Sequence, residues 1–215
     1  NKQRTVVYAK RSHALFGDRL ALDLDNAFYA VAEDLISSFK EQNDHEGFRL
    51  AVIVNFGIDP TITADELAKS SEQQLTEKLY LEAVTNYDRK KQEMMVQAIP
   101  VFKNIRQQQG NHIENVIVPF TDGRRGMQAL ANMEKTLNSD GAELVNALER
   151  TVTLALIDDA WKEHLRAMDD LKQSVQTATY EQKDPLVIYK MEAYNIFKKM
   201  AGAIYTDLLL LKFVR

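Results

Sequence analysis

Apolar residues recur every three or four positions over most of the chain, which is the spacing that buries one face of a helix. Between residues 23 and 43 they fall at Ala27, Val31, Leu35 and Phe39. Asp23 or Asp25 is available to cap the start of that helix. The pattern predicts an amphipathic helix here.

The last third of the chain carries two longer apolar series. The first begins near Ala142 and alternates in steps of three and four, as in a helix–helix seam, at Leu154, Ile157, Trp161, His164, Met168, Leu171 and Val175. The second follows Pro185, which suits a first helical turn because proline has no N–H to leave unpaired. Two long helices joined by about ten residues predict an antiparallel hairpin.

The segment GFRLAVIVNFGIDP at 47–60 allows two interpretations. Val52, Ile53 and Val54 favour a strand by propensity. Asp44 as a cap and Gly57 as a stop favour a short buried helix instead. Thr63 and Glu66 then form a capping box, which opens a helix expected to run to about Pro100.

Residues 110–127 change character, because NVIVPF at 115–120 is followed by a Thr-Asp-Gly turn. We expect a short extended segment near 113–120, within residues 100–142 that form a surface excursion contributing little to the core. Because helical periodicity covers most of the remaining chain, the fold class is predicted to be all-α. The first helix starts without an N-cap, so we interpret the chain as a fragment of a longer protein; a frayed natural terminus is the alternative.

Composition excludes several classes of protein. Among 215 residues, 45% are hydrophobic and 27% charged, and the net charge is −4. No basic stripe is present, so nucleic-acid binding is not expected. The absence of cysteine excludes disulfides, thiolate zinc sites and a cysteine nucleophile in this chain. The longest apolar run, LAVIVNF at 50–56, is too short to span a bilayer, and the N-terminus does not have the pattern of a signal peptide.

No catalytic motif is found. The glycine cluster DGRRG at 122–126 has neither the lysine nor the hydroxyl of a phosphate loop. His164 lies in the seam, where a core imidazole is favoured over a catalytic one. Asp158 is adjacent to Asp159, and neighbouring helical residues diverge by about 100°, so the two do not converge on a metal. We expect Asp158 to pair with Lys162 at i,i+4, and we expect no active site, cofactor or metal in this chain.

Two stretches, WKEHLRAMDDLKQSV at 161–175 and YEQKDPLVIYKMEAYNIFKKM at 180–200, resemble the C-terminal half of SecA, the ATP-driven motor of bacterial protein export. KQRTVVYAKR at 2–11 is similar to that family's long scaffold helix. The sequence departs from the family pattern at Ala160, where leucine is usual, and at Ala178 and Thr179, which replace arginine and glycine.

The resemblance implies a division of the chain. Residues 1–21 correspond to the scaffold helix, 22–99 to the helical wing, 143–202 to the two-helix finger and 203–215 to the end of the scaffold. Residues 100–142 have no counterpart in the shorter family pattern and resemble a lineage insertion. The motor domains that use ATP and magnesium in the family have no counterpart here.

The resemblance also implies a function and its residues. In the family, the finger enters the cytoplasmic mouth of the SecYEG channel and its tip touches the unfolded preprotein. The tip corresponds to Thr179, Tyr180, Glu181, Gln182 and Lys183, and the packing of the finger to Trp161, His164, Met168 and Leu171. The expected location is the cytoplasmic face of the plasma membrane, with peripheral attachment. The alternative is a free-standing helical adaptor that binds partner helices without catalysis.

Overall fold

Eight α-helices, a short 3₁₀-helix at Gly110–His112 and one β-hairpin make up the described part of the chain. A computed structural model describes residues 2–17, 19–121, 126–177 and 184–209. The elements in chain order are α1 (Lys2–Phe16), α2 (Leu20–Lys40), α3 (His45–Phe56), α4 (Ala64–Lys69), α5 (Glu72–Gln109), β1 (Asn115–Thr121), β2 (Gly126–Asn132), α6 (Met133–Asn138), α7 (Ala142–Thr177) and α8 (Pro185–Leu209). The all-α prediction with a short extended segment is confirmed.

Helices α2 to α5 enclose the first apolar cluster, built around Phe28, Phe48, Val52, Leu67 and Leu79. α2 begins at Leu20, before both aspartates that the sequence offered as caps, and its N-cap Arg19 makes no side-chain cap bond. The prediction of Asp23 or Asp25 as the cap is therefore wrong. The Asp25 carboxylate instead accepts a hydrogen bond from the Tyr80 hydroxyl of α5.

The segment at 47–60 forms a helix rather than a strand. The Asp44 side chain accepts from the Gly47 N–H at 2.9 Å, and Gly57 ends α3 in the left-handed region at φ 66°. Phe48, Val52 and Phe56, spaced four apart, all lie in the core. Their shared buried face outweighs the strand propensity of the β-branched residues.

The helix that starts at Thr63 is shorter than predicted, and the next is longer. The Thr63–Glu66 capping box is present, but α4 ends at Lys69. Ser71 forms a second capping box with Gln74 and starts α5, which continues through Pro100 to Gln109. Proline removes one helical hydrogen bond, and burial of Phe102 just beyond it favours continuation of the helix.

The β-hairpin belongs to the core. β1 and β2 pair antiparallel from Asn115 opposite Asn132 to Thr121 opposite Gly126. Ala129 and Ala131 are fully buried in a second apolar cluster with Phe102, Met133 and residues at the start of α7. The expectation that residues 100–142 contribute little to the core is wrong, because the small alanines let β2 lie close against α7.

Helices α7 and α8 begin where the sequence predicted. Pro185 is the first residue of α8, and the Asp184 side chain accepts from the Leu186 N–H at 2.9 Å. A third apolar cluster joins α1, α7 and α8 through Val7, Ala14, Ile157, Met200 and Ile204. Leu20 and Leu24 at the start of α2 pack on Val152 of α7. This contact connects the α2–α5 unit to the base of the α7–α8 hairpin.

Candidate functional site

The candidate site is the base of the α7–α8 hairpin, where α1 packs across both helices. The tip residues predicted from the sequence, Thr179, Tyr180, Glu181, Gln182 and Lys183, lie outside the described residues. The packing residues are described, and all four belong to α7. The structure therefore bears on how the hairpin is held at its base.

An aromatic stack lies at the centre of the base. The ring of Trp161 stacks on that of His164 with centroids 5.1 Å apart, and His164 meets the Phe197 ring of α8 edge-on at 5.6 Å. Trp161 is partly buried against the third apolar cluster. Met168 and Leu171 are also partly buried, further along α7 toward the tip. The stack joins the two helices of the hairpin close to α1.

Gln3 of α1 links both helices of the hairpin through one side-chain amide. Its nitrogen donates to the Ala193 carbonyl oxygen of α8 at 3.0 Å. Its oxygen lies 3.1 Å from Nε2 of His164 on α7. The amide donates to one helix and accepts from the other, and both hydrogen bonds require defined distances and angles. Gln3 therefore fixes α1 against the hairpin.

His164 is a buried residue whose surroundings disfavour a charged imidazole. The residue is 2% exposed, and burial lowers the pKa of the imidazole below its ordinary value. Since Nε2 donates to the Gln3 oxygen, Nδ1 carries the lone pair, and in the described part of the chain it has no hydrogen-bond partner. A proton on Nδ1 would lack an acceptor, so the folded state favours the uncharged ring.

Arg11 and Asp158 form a second connection between α1 and α7. The guanidinium donates from Nε at 2.8 Å and from a terminal nitrogen at 3.3 Å to the two carboxylate oxygens. This bidentate pair replaces the predicted partner, since Lys162 pairs with Asp159 at 3.5 Å instead. Both side chains are about two-fifths exposed, at 43% and 44%, so the pair adds orientation more than stability.

Neither these α1 contacts nor the buried carboxylate of Glu149 was predicted from the sequence. Glu149 of α7 is 4% exposed and bonds Tyr87 and Lys91 of α5. One signal was available, because Val145, Glu149 and Val152 share the i, i+4, i+7 spacing of a buried face. Neither partner could be inferred from that spacing.

The base is mainly an apolar contact between α1, α7 and α8. Within the described ranges, no group of three or more His, Cys, Asp or Glu side chains is placed to hold a metal ion. A cavity of about 20 Å³ lies between α1, α7 and α8 and is lined mainly by apolar side chains such as Val7, Ile157 and Met200. That volume is close to the space of one water molecule. The helices of the described ranges include no candidate for a membrane span.

Comparison with known families decides what kind of module this is. The family model described as the SecA Wing and Scaffold domain matches residues 1–213. The chain belongs to this SecA family. The match includes both helices of the hairpin, the α2–α5 unit and the β-hairpin region.

Relatives of the family agree with that assignment. The protein translocase subunit SecA of Christiangramia forsetii is 41% identical over 209 residues, or 97% of this chain. Those of Flavobacterium psychrophilum and Cytophaga hutchinsonii are 42% and 39% identical over the same 97%. The chain spans only 19% of the length of each of these relatives. Residues 100–142 lie inside the stretch that the family model matches.

Proposed function

We propose that the chain is the scaffold, wing and finger module of a SecA preprotein translocase. In this assignment residues 1–21 and 203–215 belong to the scaffold, 22–99 form the wing and 143–202 form the finger, while 100–142 are a lineage insertion. The observation that carries the proposal is the α7–α8 hairpin, anchored at its base on α1 by Gln3 and by the Arg11–Asp158 pair.

The hairpin has the dimensions of a rigid arm. α7 contains 36 residues, which at about 1.5 Å per residue is roughly 50 Å of helix. The aromatic stack and the third apolar cluster hold α7 and α8 together near the base. An arm held in this way transmits a displacement at its base to its far end, which suits a part that pushes on another molecule.

The far end is proposed to contact the translocating polypeptide. Tyr180 is the principal contact, because its ring offers apolar surface and its hydroxyl offers a hydrogen bond, so it binds many sequences weakly. Thr179, Glu181, Gln182 and Lys183 flank it. Trp161, His164, Met168 and Leu171 are the packing residues that hold the finger.

The partners follow from the same proposal. The module would join the SecA motor domains, which bind ATP and magnesium, and would act with the SecYEG channel on unfolded preproteins at the cytoplasmic face of the membrane. Catalysis would belong to the whole translocase, with coupling through the scaffold. The much greater length of the relatives favours this module over a free-standing adaptor.

The test uses the full-length translocase that contains this chain. Tyr180→Gly is expected to impair preprotein transport into membrane vesicles while basal ATP turnover and the melting temperature stay near wild type. Tyr180→Phe keeps the apolar ring and is expected to be milder. Thr179→Ala, at the preceding position of the sequence, is the matched control and is expected to have a smaller effect on transport than Tyr180→Gly. Transport by the glycine variant at the wild-type rate would refute the tip assignment.

A further inference from the structure

Glu149 is a buried carboxylate with two donors from a neighbouring helix. Its Oε1 atom accepts a hydrogen bond from the Tyr87 hydroxyl at 2.8 Å and lies 3.2 Å from Nζ of Lys91. Both donors belong to α5, whereas Glu149 belongs to α7. A single oxygen atom of Glu149 therefore receives polar contacts from two side chains of α5.

This contact lies where three apolar clusters meet. The Tyr87 ring packs on Phe28 of α2 with centroids 5.1 Å apart, which ties it to the first cluster. Leu148, the neighbour of Glu149 on α7, belongs to the second cluster, which includes the β-hairpin. Val152, three residues after Glu149, packs against Leu20 and Leu24 in a fourth cluster. The polar group thus occupies the junction between the wing and the base of the hairpin.

The donors are held in fixed positions. The Lys91 ammonium group lies over the Tyr87 ring, 5.4 Å from its centroid. This cation–π contact restricts the positions of both side chains. Burial raises the pKa of the Tyr87 hydroxyl, and the Glu149 charge raises it further. The hydroxyl therefore remains a protonated donor.

Stability alone does not account for such a group. The Glu149 side chain is 5% exposed and that of Lys91 is 29% exposed, so the pair is largely removed from water. Replacing a buried charged pair by apolar residues of similar volume is often neutral or stabilising. Apolar contacts are non-directional, so clusters of Leu, Val and Ala tolerate small rotations of one helix over another. Hydrogen bonds require defined distances and angles. The triad contributes a directional constraint at a junction where apolar clusters meet.

We propose that Glu149, Tyr87 and Lys91 form a polar joint that fixes the orientation of α5 on α7, and through it the angle between the wing and the α7–α8 hairpin. The joint stands on contacts within the chain and does not depend on what the hairpin tip binds. It makes the wing and the hairpin move as one body while the joint is intact.

The experiment measures a distance distribution between spin labels by pulsed electron paramagnetic resonance on the full 215-residue chain. The sequence contains no cysteine, so Ser38→Cys on α2 and Gln173→Cys on α7, both at exposed positions, give two specific labels. The triad is replaced by apolar residues in Tyr87→Phe, Lys91→Met and Glu149→Met together. Glu149→Gln is the milder variant, since its amide oxygen still accepts from Tyr87.

The apolar triple variant is expected to melt near the wild-type temperature but to show a label-to-label distribution about twofold wider. Glu149→Gln is expected to widen it less. Tyr80→Phe is the matched control, because it removes a tyrosine–carboxylate bond to Asp25 inside the wing and leaves the junction intact. A wild-type distribution width in any triad variant that still melts cooperatively would overturn the proposal.

Discussion

Replacing Trp161 by alanine tests whether the base of the hairpin holds α7 on α1 and α8. The indole packs against the cluster of Val7, Ala14, Ile157, Met200 and Ile204, and it stacks on the His164 ring. Alanine would leave a space next to residues from all three helices. We therefore expect the substitution to loosen α1 and α8 together.

The expected loss in the free energy of unfolding follows from the area that the indole buries. A fully enclosed large aromatic side chain buries roughly 150–250 Å², and at about 25 cal/mol per Å² this amounts to about 4–6 kcal/mol. Trp161 is only partly buried, so a loss at the lower end of the range for replacing a large aromatic residue by alanine, about 3 kcal/mol, is expected. Loss of the stack with His164 is included in that figure. Trp161→Phe keeps a ring in the cluster and should lose about half as much.

The assay is urea unfolding followed by far-ultraviolet circular dichroism, because the chain has one tryptophan and its fluorescence disappears in the variant. Leu165→Ala, one turn along α7 at a side chain 47% exposed, is the matched control and should change the free energy of unfolding by less than about 0.5 kcal/mol. If Trp161→Ala destabilised the chain no more than Leu165→Ala does, the indole would not be part of the anchor.

Two further predictions concern His164 and the β-hairpin. Because burial lowers the pKa of His164 in the folded state, the unfolded chain binds more protons just below its ordinary pKa of about 6.5. The free energy of unfolding should therefore be highest above that pH and fall as pH decreases through it, in melting curves from pH 7.5 to 5. His164→Gln should remove this group's share of the slope, and an unchanged slope would contradict the assignment. Replacing residues 114–132 by a short linker should lower the melting temperature and the cooperativity, since it removes the fully buried Ala129 and Ala131. Ile117→Ser, at an outer side chain 60% exposed, should leave both nearly unchanged; a wild-type melt after the deletion would show that the hairpin is dispensable.

The sequence by itself determined the elements whose signals are local. The Asp44 cap and Gly57 stop of α3, the Thr63–Glu66 capping box, and the starts of α7 and α8 are present as predicted. In each case the informative residues lie within one turn of the helix end that they define. The family resemblance likewise depended on contiguous stretches, and the match over residues 1–213 confirms it.

Only the tertiary structure decided the partners of the polar side chains. Asp158 had a local candidate in Lys162, but Arg11, distant in sequence, reaches it with two hydrogen bonds. Glu149 has its donors on another helix, and Gln3 bonds α7 and α8 at once. Such contacts depend on how helices cross, and that is set by packing that no local pattern encodes.

The β-hairpin gives the same lesson for secondary structure. The extended segment at β1 was visible in its β-branched residues, but the sequence GMQALAN of β2 has little strand propensity. It becomes a strand because β1 supplies its hydrogen bonds and because Ala129 and Ala131 are small enough to lie against α7. Strand propensity largely reflects such packing against neighbours, so the neighbours had to be in place before the strand could be recognised.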